Sequence, residues 1–423
     1  MVAIPIATTP FLPPEITDSI IDYCHSDSRT LALCSLVCRA WYASTRYHLF
    51  PVVKLSTVKK ASWFTNLLEY RPSEPSLHIA PFLRHLTLNI SPDSLWLPGF
   101  VGALPEYIPL VTLNVFCRGY HLTPEIRTKF AQTFKSITSL ELHETTALAK
   151  SLARDVEFIC AFTELKRVFL SGDHYRDTMI DIGRARLPSR VEKLEIDLAS
   201  SATESLMGWL LAHEPVVPRV SGLHLFRVTD NTVPVLGEYI QRCRDSLEDL
   251  MLLLYQRRTN AADFDLSQHA GLRSVYLSAS GSESIRTISD ILTPLIAGEM
   301  KSTLARHIVL RISTFEADNV YDWAVLDKVL SSNGGSPPPK ITVVMDQDGE
   351  YESKLRSRLS VCAAQKQLSF ARYGAGNAAF GYVGEGSDLG AMRAASSLNQ
   401  DTDKEIMKGD ESEGRQFGSG SRK

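Results

Sequence analysis

LRHLTL at residues 83–88 and LVTLNV at residues 110–115 decide the fold, because their apolar-x-x-apolar-x-apolar pattern keeps returning along the chain. It recurs as ITSLEL from Ile137, LKRVFL from Leu165, VEKLEI from Val191, VSGLHL from Val220, LEDLML from Leu247 and LRSVYL from Leu272. Successive starts are 27, 27, 28, 26, 29, 27 and 25 residues apart. Weaker copies are FPVVKL from Phe50, ARHIVL from Ala305 and PKITVV from Pro339. Each hexad has the two-residue alternation of a strand and is too short for a buried helix. Helical stretches lie between them, such as TPEIRTKFAQTF with Thr123 as N-cap and Pro124 at the first helical position. ESLMGWLLAHE, VPVLGEYIQRC, IRTISDILTPLIAG and DNVYDWAVLDKVL read the same way. A strand and a helix at a fixed period predict stacked units, none of which can bury its apolar side alone.

With this period the chain resembles the leucine-rich-repeat family. The resemblance implies an α/β solenoid with a parallel sheet over residues 51–372. Asparagine is missing three positions beyond the third apolar residue, where Ser91, Arg118, Thr145, Asp173, Ala199, Val228, Tyr255 and Ser280 stand. An irregular arc without an asparagine ladder is therefore expected. The alternative is a compact doubly wound α/β domain, which near-equal spacing disfavours.

Residues between the apolar anchors of each strand are expected on the concave face of such a solenoid. One row is Thr87, Asn114, Glu141, Phe169, Glu195, His224, Met251, Tyr276 and Val309. Two positions along stand Asn89, Phe116, His143, Ser171, Asp197, Phe226, Leu253, Ser278 and Arg311. Phe169, Phe226, Met251, Leu253 and Tyr276 would gather there as an apolar patch, the candidate surface for an unknown protein substrate. His143 and His224 read as solvated or hydrogen-bonded histidines, with no catalytic or metal role.

The segment LPPEITDSIIDYCHSDSRTLALCSLVCRAWYASTRYHLF, residues 12–50, precedes the repeats. Pro13 and Pro14 suit a first helical turn, and Glu15 complements the positive end of the helix dipole. Ile16, Ile20, Tyr23 and Cys24 follow at helical spacing. Asp27 or Ser28 can cap a second helix whose Leu31, Leu33, Cys34, Leu36, Val37 and Cys38 are apolar almost all round. Trp41, Leu49 and Phe50 continue the apolar set through a third. Some forty residues hold little independent core, so this surplus predicts a partner surface.

Leu12-Pro13, Glu15-Ile16, Ile20, LCSLVCRAW and Leu49-Phe50 resemble an F-box. That resemblance covers about a tenth of the chain and implies a three-helix module over residues 11–50 docking a Skp-type adaptor, and through it a cullin ubiquitin ligase. Leu12, Pro13, Glu15, Ile16, Ile20, Leu36, Val37, Cys38 and Trp41 would carry that contact. The chain would then be a substrate receptor. The competing expectation is an interaction scaffold in which the module merely caps the repeats.

Net charge is −3 over 423 residues, so no global positive field draws nucleic acid or an acidic membrane, and no local basic patch is evident at this scale. Seven scattered cysteines lack a framework or a C-x-x-C pair and favour reduced thiols in the cytoplasm or nucleus. No nucleophile elbow, phosphate loop or H-E-x-x-H motif occurs, so neither an enzyme nor a cofactor is expected. A flexible N-terminus is expected over residues 1–10. From Tyr373 onward glycine, serine and both charge signs replace apolar residues, which predicts a mostly disordered tail over 373–423.

Overall fold

The computed structural model describes residues 13–70, 78–120, 122–144, 150–173, 175–177, 185–213, 217–254, 264–269, 271–279, 284–297, 307–312, 320–332, 339–345 and 350–372. Leu12 and the segments 1–10 and 373–423 lie outside the described residues.

The strands are β1 (Val52–Leu55), β2 (His85–Ile90), β3 (Thr112–Cys117), β4 (Ser139–Glu144), β5 (Lys150–Ser151), β6 (Arg167–Gly172) and β7 (Tyr175–Asp177). They continue as β8 (Lys193–Leu198), β9 (Gly222–Val228), β10 (Asp249–Leu254), β11 (Ser274–Ala279), β12 (His307–Ile312), β13 (Lys340–Met345) and β14 (Leu368–Arg372). All but β5 and β7, which pair with each other, form one 12-stranded sheet in the order β1-β2-β3-β4-β6-β8-β9-β10-β11-β12-β13-β14. Every pairing in it is parallel. Spatial order therefore follows chain order without a reversal. This is compatible with a solenoid-like α/β fold and differs from a doubly wound sheet, whose strand order reverses at a switch point.

The helices are α1 (Pro14–Tyr23), α2 (Ser28–Cys34), α3 (Arg39–Leu49), α4 (Val58–Glu69), α5 (Leu97–Ala103), α6 (Pro124–Thr133) and α7 (Leu152–Cys160). After them come α8 (Ser200–Leu211), α9 (Val233–Cys243), α10 (Ser284–Ala297), α11 (Val320–Ser331), α12 (Glu350–Arg358) and α13 (Ser360–Ala364). Local chemistry sets their starts. Asp27 accepts from the Arg29 and Thr30 N–H groups at the head of α2, and Thr123 accepts from Ile126 N–H at the head of α6, with Pro124 following it.

Inward-facing strand residues, such as Leu86, Leu88 and Ile90 in β2, join one core with side chains from α4 to α13, among them Phe64, Phe100, Phe130 and Trp323. The alternate strand residues lie on the other face. There Tyr276, Val309 and Val344 form a separate cluster with Met251, Leu253 and Ala371, all from strands. Helices thus cover one face of the sheet, and among the described residues the other is helix-free. The module α1 to α3 precedes β1 and keeps a small core of its own, Thr17, Ile21, Leu31 and Thr45. Contacts between α1 and α3 tie it together, including His48 Nε2 to Asp22 Oδ1 at 2.7 Å.

Candidate interaction surfaces

On α1 the buried stripe is Thr17 and Ile21, one turn apart. The neighbouring stripe of Ile16, Ile20 and Tyr23 therefore faces outward, with Ile16 49% and Ile20 42% exposed. Between α2 and α3 the chain turns through Leu36 and Val37, which are 81% and 63% exposed. Pro13, Glu15 and Cys38 are exposed too, and Trp41 is half-buried. The residues expected to contact an adaptor thus stand largely in solvent, while Ile21 and Leu31, absent from that set, make the core. The surplus of apolar surface read from the sequence is present on the module.

On the helix-free face, strand pairing aligns Thr87, Asn114, Glu141, Phe169, Glu195, His224, Met251, Tyr276 and Val309 as one row across nine strands. All five candidate patch residues lie on this face. Phe169 is 0% exposed and Tyr276 is buried, while Phe226, Met251 and Leu253 are half-buried. The patch is packed side to side, with Phe169 set edge-on to Phe226 at 5.9 Å. His143 bridges Phe116 and Phe169, stacking on the first at 4.0 Å and tilted to the second at 4.8 Å. The pairing shifts between Leu252 and Leu254, opposite Phe226 and Arg227. An extra residue of this kind bends and re-aims a strand.

Beside these rings runs a charge network. Arg167 holds Glu195 through two hydrogen bonds, Nε to Oε1 at 3.1 Å and Nη2 to Oε2 at 3.0 Å, and its Nη1 lies 3.3 Å from Glu141 Oε1. Lys193 Nζ is 3.1 Å from Glu195 Oε1, and His224 sits 2.8 Å from Asp249, which also accepts from the Ser274 hydroxyl. Burial pushes the Glu195 carboxyl up, but the hydrogen bonds and charge of Arg167, with His224 and Lys193, hold it below the usual range. Arg167, Glu195, His224 and Asp249 each have a partner on the next strand, whereas Lys193 meets Glu195 along its own strand.

A further surface escaped the sequence reading. Residues 28–68 carry Arg29, Arg39, Arg46, Lys54, Lys59 and Lys60 and not one Asp or Glu, although the whole chain is −3. The signal was lost by averaging over the chain. In the structure Lys54, Lys59 and Lys60 are exposed, and so are Tyr47, Val52, Val58 and Trp63 beside them. Among the described residues no three His, Cys, Asp or Glu side chains converge as a metal site, and no helix is long and apolar enough to cross a membrane.

No known family model matches the chain, and no curated protein matches it either.

Proposed function

We propose that this chain is a substrate-recognition subunit of a Skp, cullin and F-box ubiquitin ligase, in which the α1 to α3 module docks a Skp-type adaptor and the leucine-rich-repeat-like sheet presents the protein to be modified. The observation that carries the reading is the exposure of Ile16, Ile20, Leu36 and Val37 on a module in which, among the described residues, Thr17, Ile21, Leu31 and Thr45 are the buried ones. Exposed apolar side chains grouped on so small a unit are characteristic of an interface, since water contact at each is unfavourable until a partner removes it. The subunit then acts by position, raising the effective concentration of a bound protein near the ubiquitin-loading machinery. The half-buried Phe226, Met251 and Leu253 are the accessible part of the sheet-face patch for that protein, with Phe169 and Tyr276 as their packed support.

The test is binding of the full-length chain to a purified Skp-type adaptor, with a Leu36→Ser, Val37→Ser double variant as control. Tight binding that the variant loses, with its thermal unfolding unchanged, supports the reading. A folded wild-type chain that does not bind sinks it.

A further inference from the structure

Eleven of the sixteen large hydrophobic residues that stand exposed among the described residues lie between Ile16 and Tyr70. The exposed set therefore extends past the three-helix module. On α4 the inner face, Ala61, Phe64 and Leu68, is buried in the main core. Its outer face carries Lys59, Ser62, Trp63 and Asn66 at helical spacing, with Trp63 56% exposed. More than half of the Trp63 surface therefore remains in water on the polar side of the helix.

The ring of Trp63 stacks on Phe50 at 6.4 Å, directly after α3. The Arg46 guanidinium in turn lies over Phe50 at 5.1 Å and over Tyr42 at 4.1 Å. This aromatic and guanidinium stack joins the module to α4 without a break. Around it Lys54, Lys59 and Lys60 are exposed, with no carboxylate in ion-pair reach among the described residues. Elsewhere in the fold Arg127, Arg167, Lys193 and Arg227 are all paired with acids.

We infer that the docking surface for the module's partner continues along edge strand β1 and the outer face of α4, and that this extension receives an acidic, partly apolar protein surface of that partner. The inference rests on the module being a docking element. Lysines with no acid partner among the described residues, interleaved with exposed Val52, Val58 and Trp63, match the mixture that protein interfaces use, an aromatic anchor with charges at its rim. Anionic membranes are read by clusters of about four to eight solvent-facing Lys or Arg, and duplex DNA by many phosphate contacts, whereas the exposed cations here are three lysines, the half-buried Arg46 being engaged with Tyr42 and Phe50. Complementary rim charges act mainly on association rate and its salt dependence.

The experiment measures association of full-length chain with purified Skp-type adaptor at about 50 and 500 mM NaCl, a range over which rim charges pass from weakly to strongly screened. It compares wild type with Lys54→Glu/Lys59→Glu/Lys60→Glu, with Trp63→Ala, and with Leu36→Ser/Val37→Ser. The charge reversal is expected to slow association about tenfold at low salt and to flatten the salt dependence. Trp63→Ala should weaken binding about tenfold with unfolding unchanged. Binding lost in the Leu36/Val37 variant but untouched by both other changes overturns the extension and leaves the module reading standing. A wild-type chain that ignores the adaptor overturns both. Lysine-dependent binding to duplex DNA or phosphatidylserine vesicles, with the adaptor indifferent to the lysines, also overturns the protein-surface assignment.

Discussion

On α4, Lys59, Lys60 and Trp63 are exposed, with no acid paired to the lysines among the described residues; four strands along the sheet, Arg167 and Phe169 are enclosed by Glu141, Glu195, His143 and Phe226. The residue types are alike, but their neighbours differ. In the sheet each side chain is flanked by partners about 5 Å away on both adjacent strands, so a cation and a ring can be matched there within the fold. At the N-terminal end the outer face of α4 is met on one side by Phe50 and, among the described residues, leaves Lys59, Lys60 and over half of Trp63 exposed. Charge and aromaticity therefore describe a site only once the flanking row is known.

Five changes, four single substitutions and one of pH, test that contrast. Glu195→Ala should have the largest effect, leaving Arg167 and Lys193 without their shared acid at a carboxylate only 2% exposed, at a cost of about 3–5 kcal/mol by chemical denaturation. Phe169→Ala should follow at about 3 kcal/mol, since its ring is fully enclosed; an effect below about 1 kcal/mol would mean that the face is not packed as described.

The acid limb comes next. Because the folded Glu195 carboxyl titrates below its unfolded value, its contribution is complete above about pH 4.3 and disappears as pH falls through the folded value. The melting temperature of wild type should therefore drop below that pH more steeply than that of Glu195→Gln. The smallest change is expected at the N-terminal end, where Leu36→Ser and Lys59→Glu should each leave stability within about 0.5 kcal/mol. A loss of 2 kcal/mol or more at either position, well outside that ~0.5 kcal/mol band, would show that the exposed surface is structural and erase the contrast.

Most of the sheet was legible from the spacing of apolar hexads, because an anchor pattern of period two, repeated with helices between, leaves few arrangements that bury every anchor. Ten of the eleven hexads fall on main-sheet strands in their predicted order, starting with FPVVKL at β1, and ARHIVL at β12 completes the set. Strand β14 is not legible because Leu368 and Phe370, with Ser369 alone between them, precede a glycine-rich run that dominates the composition there. The shift at Phe226 and Arg227 was not legible, since one extra residue leaves no compositional mark. The patch residues share the helix-free face, but exposure does not follow from that: Phe169 is buried between Glu141, Glu195 and the neighbouring rings, and Tyr276 among Met251, Val309 and Val344. In the module, helix α1 has two adjacent apolar stripes, and sequence spacing could not choose which one turned inward. The basic stretch 28–68 was written plainly in the chain and needed only a shorter averaging window.

The unbroken strand order makes the sheet a graduated scale. Each strand advances about 4.8 Å from the last, so β6 lies about 19 Å and β11 about 38 Å from β1, where the helical module is attached. Adding or deleting one whole strand-and-helix unit between them would move every later position by one graduation while leaving local pairings intact. The reach between the two ends of this molecule is thus an integer quantity, set by how many units the chain contains rather than by the bend of any single joint.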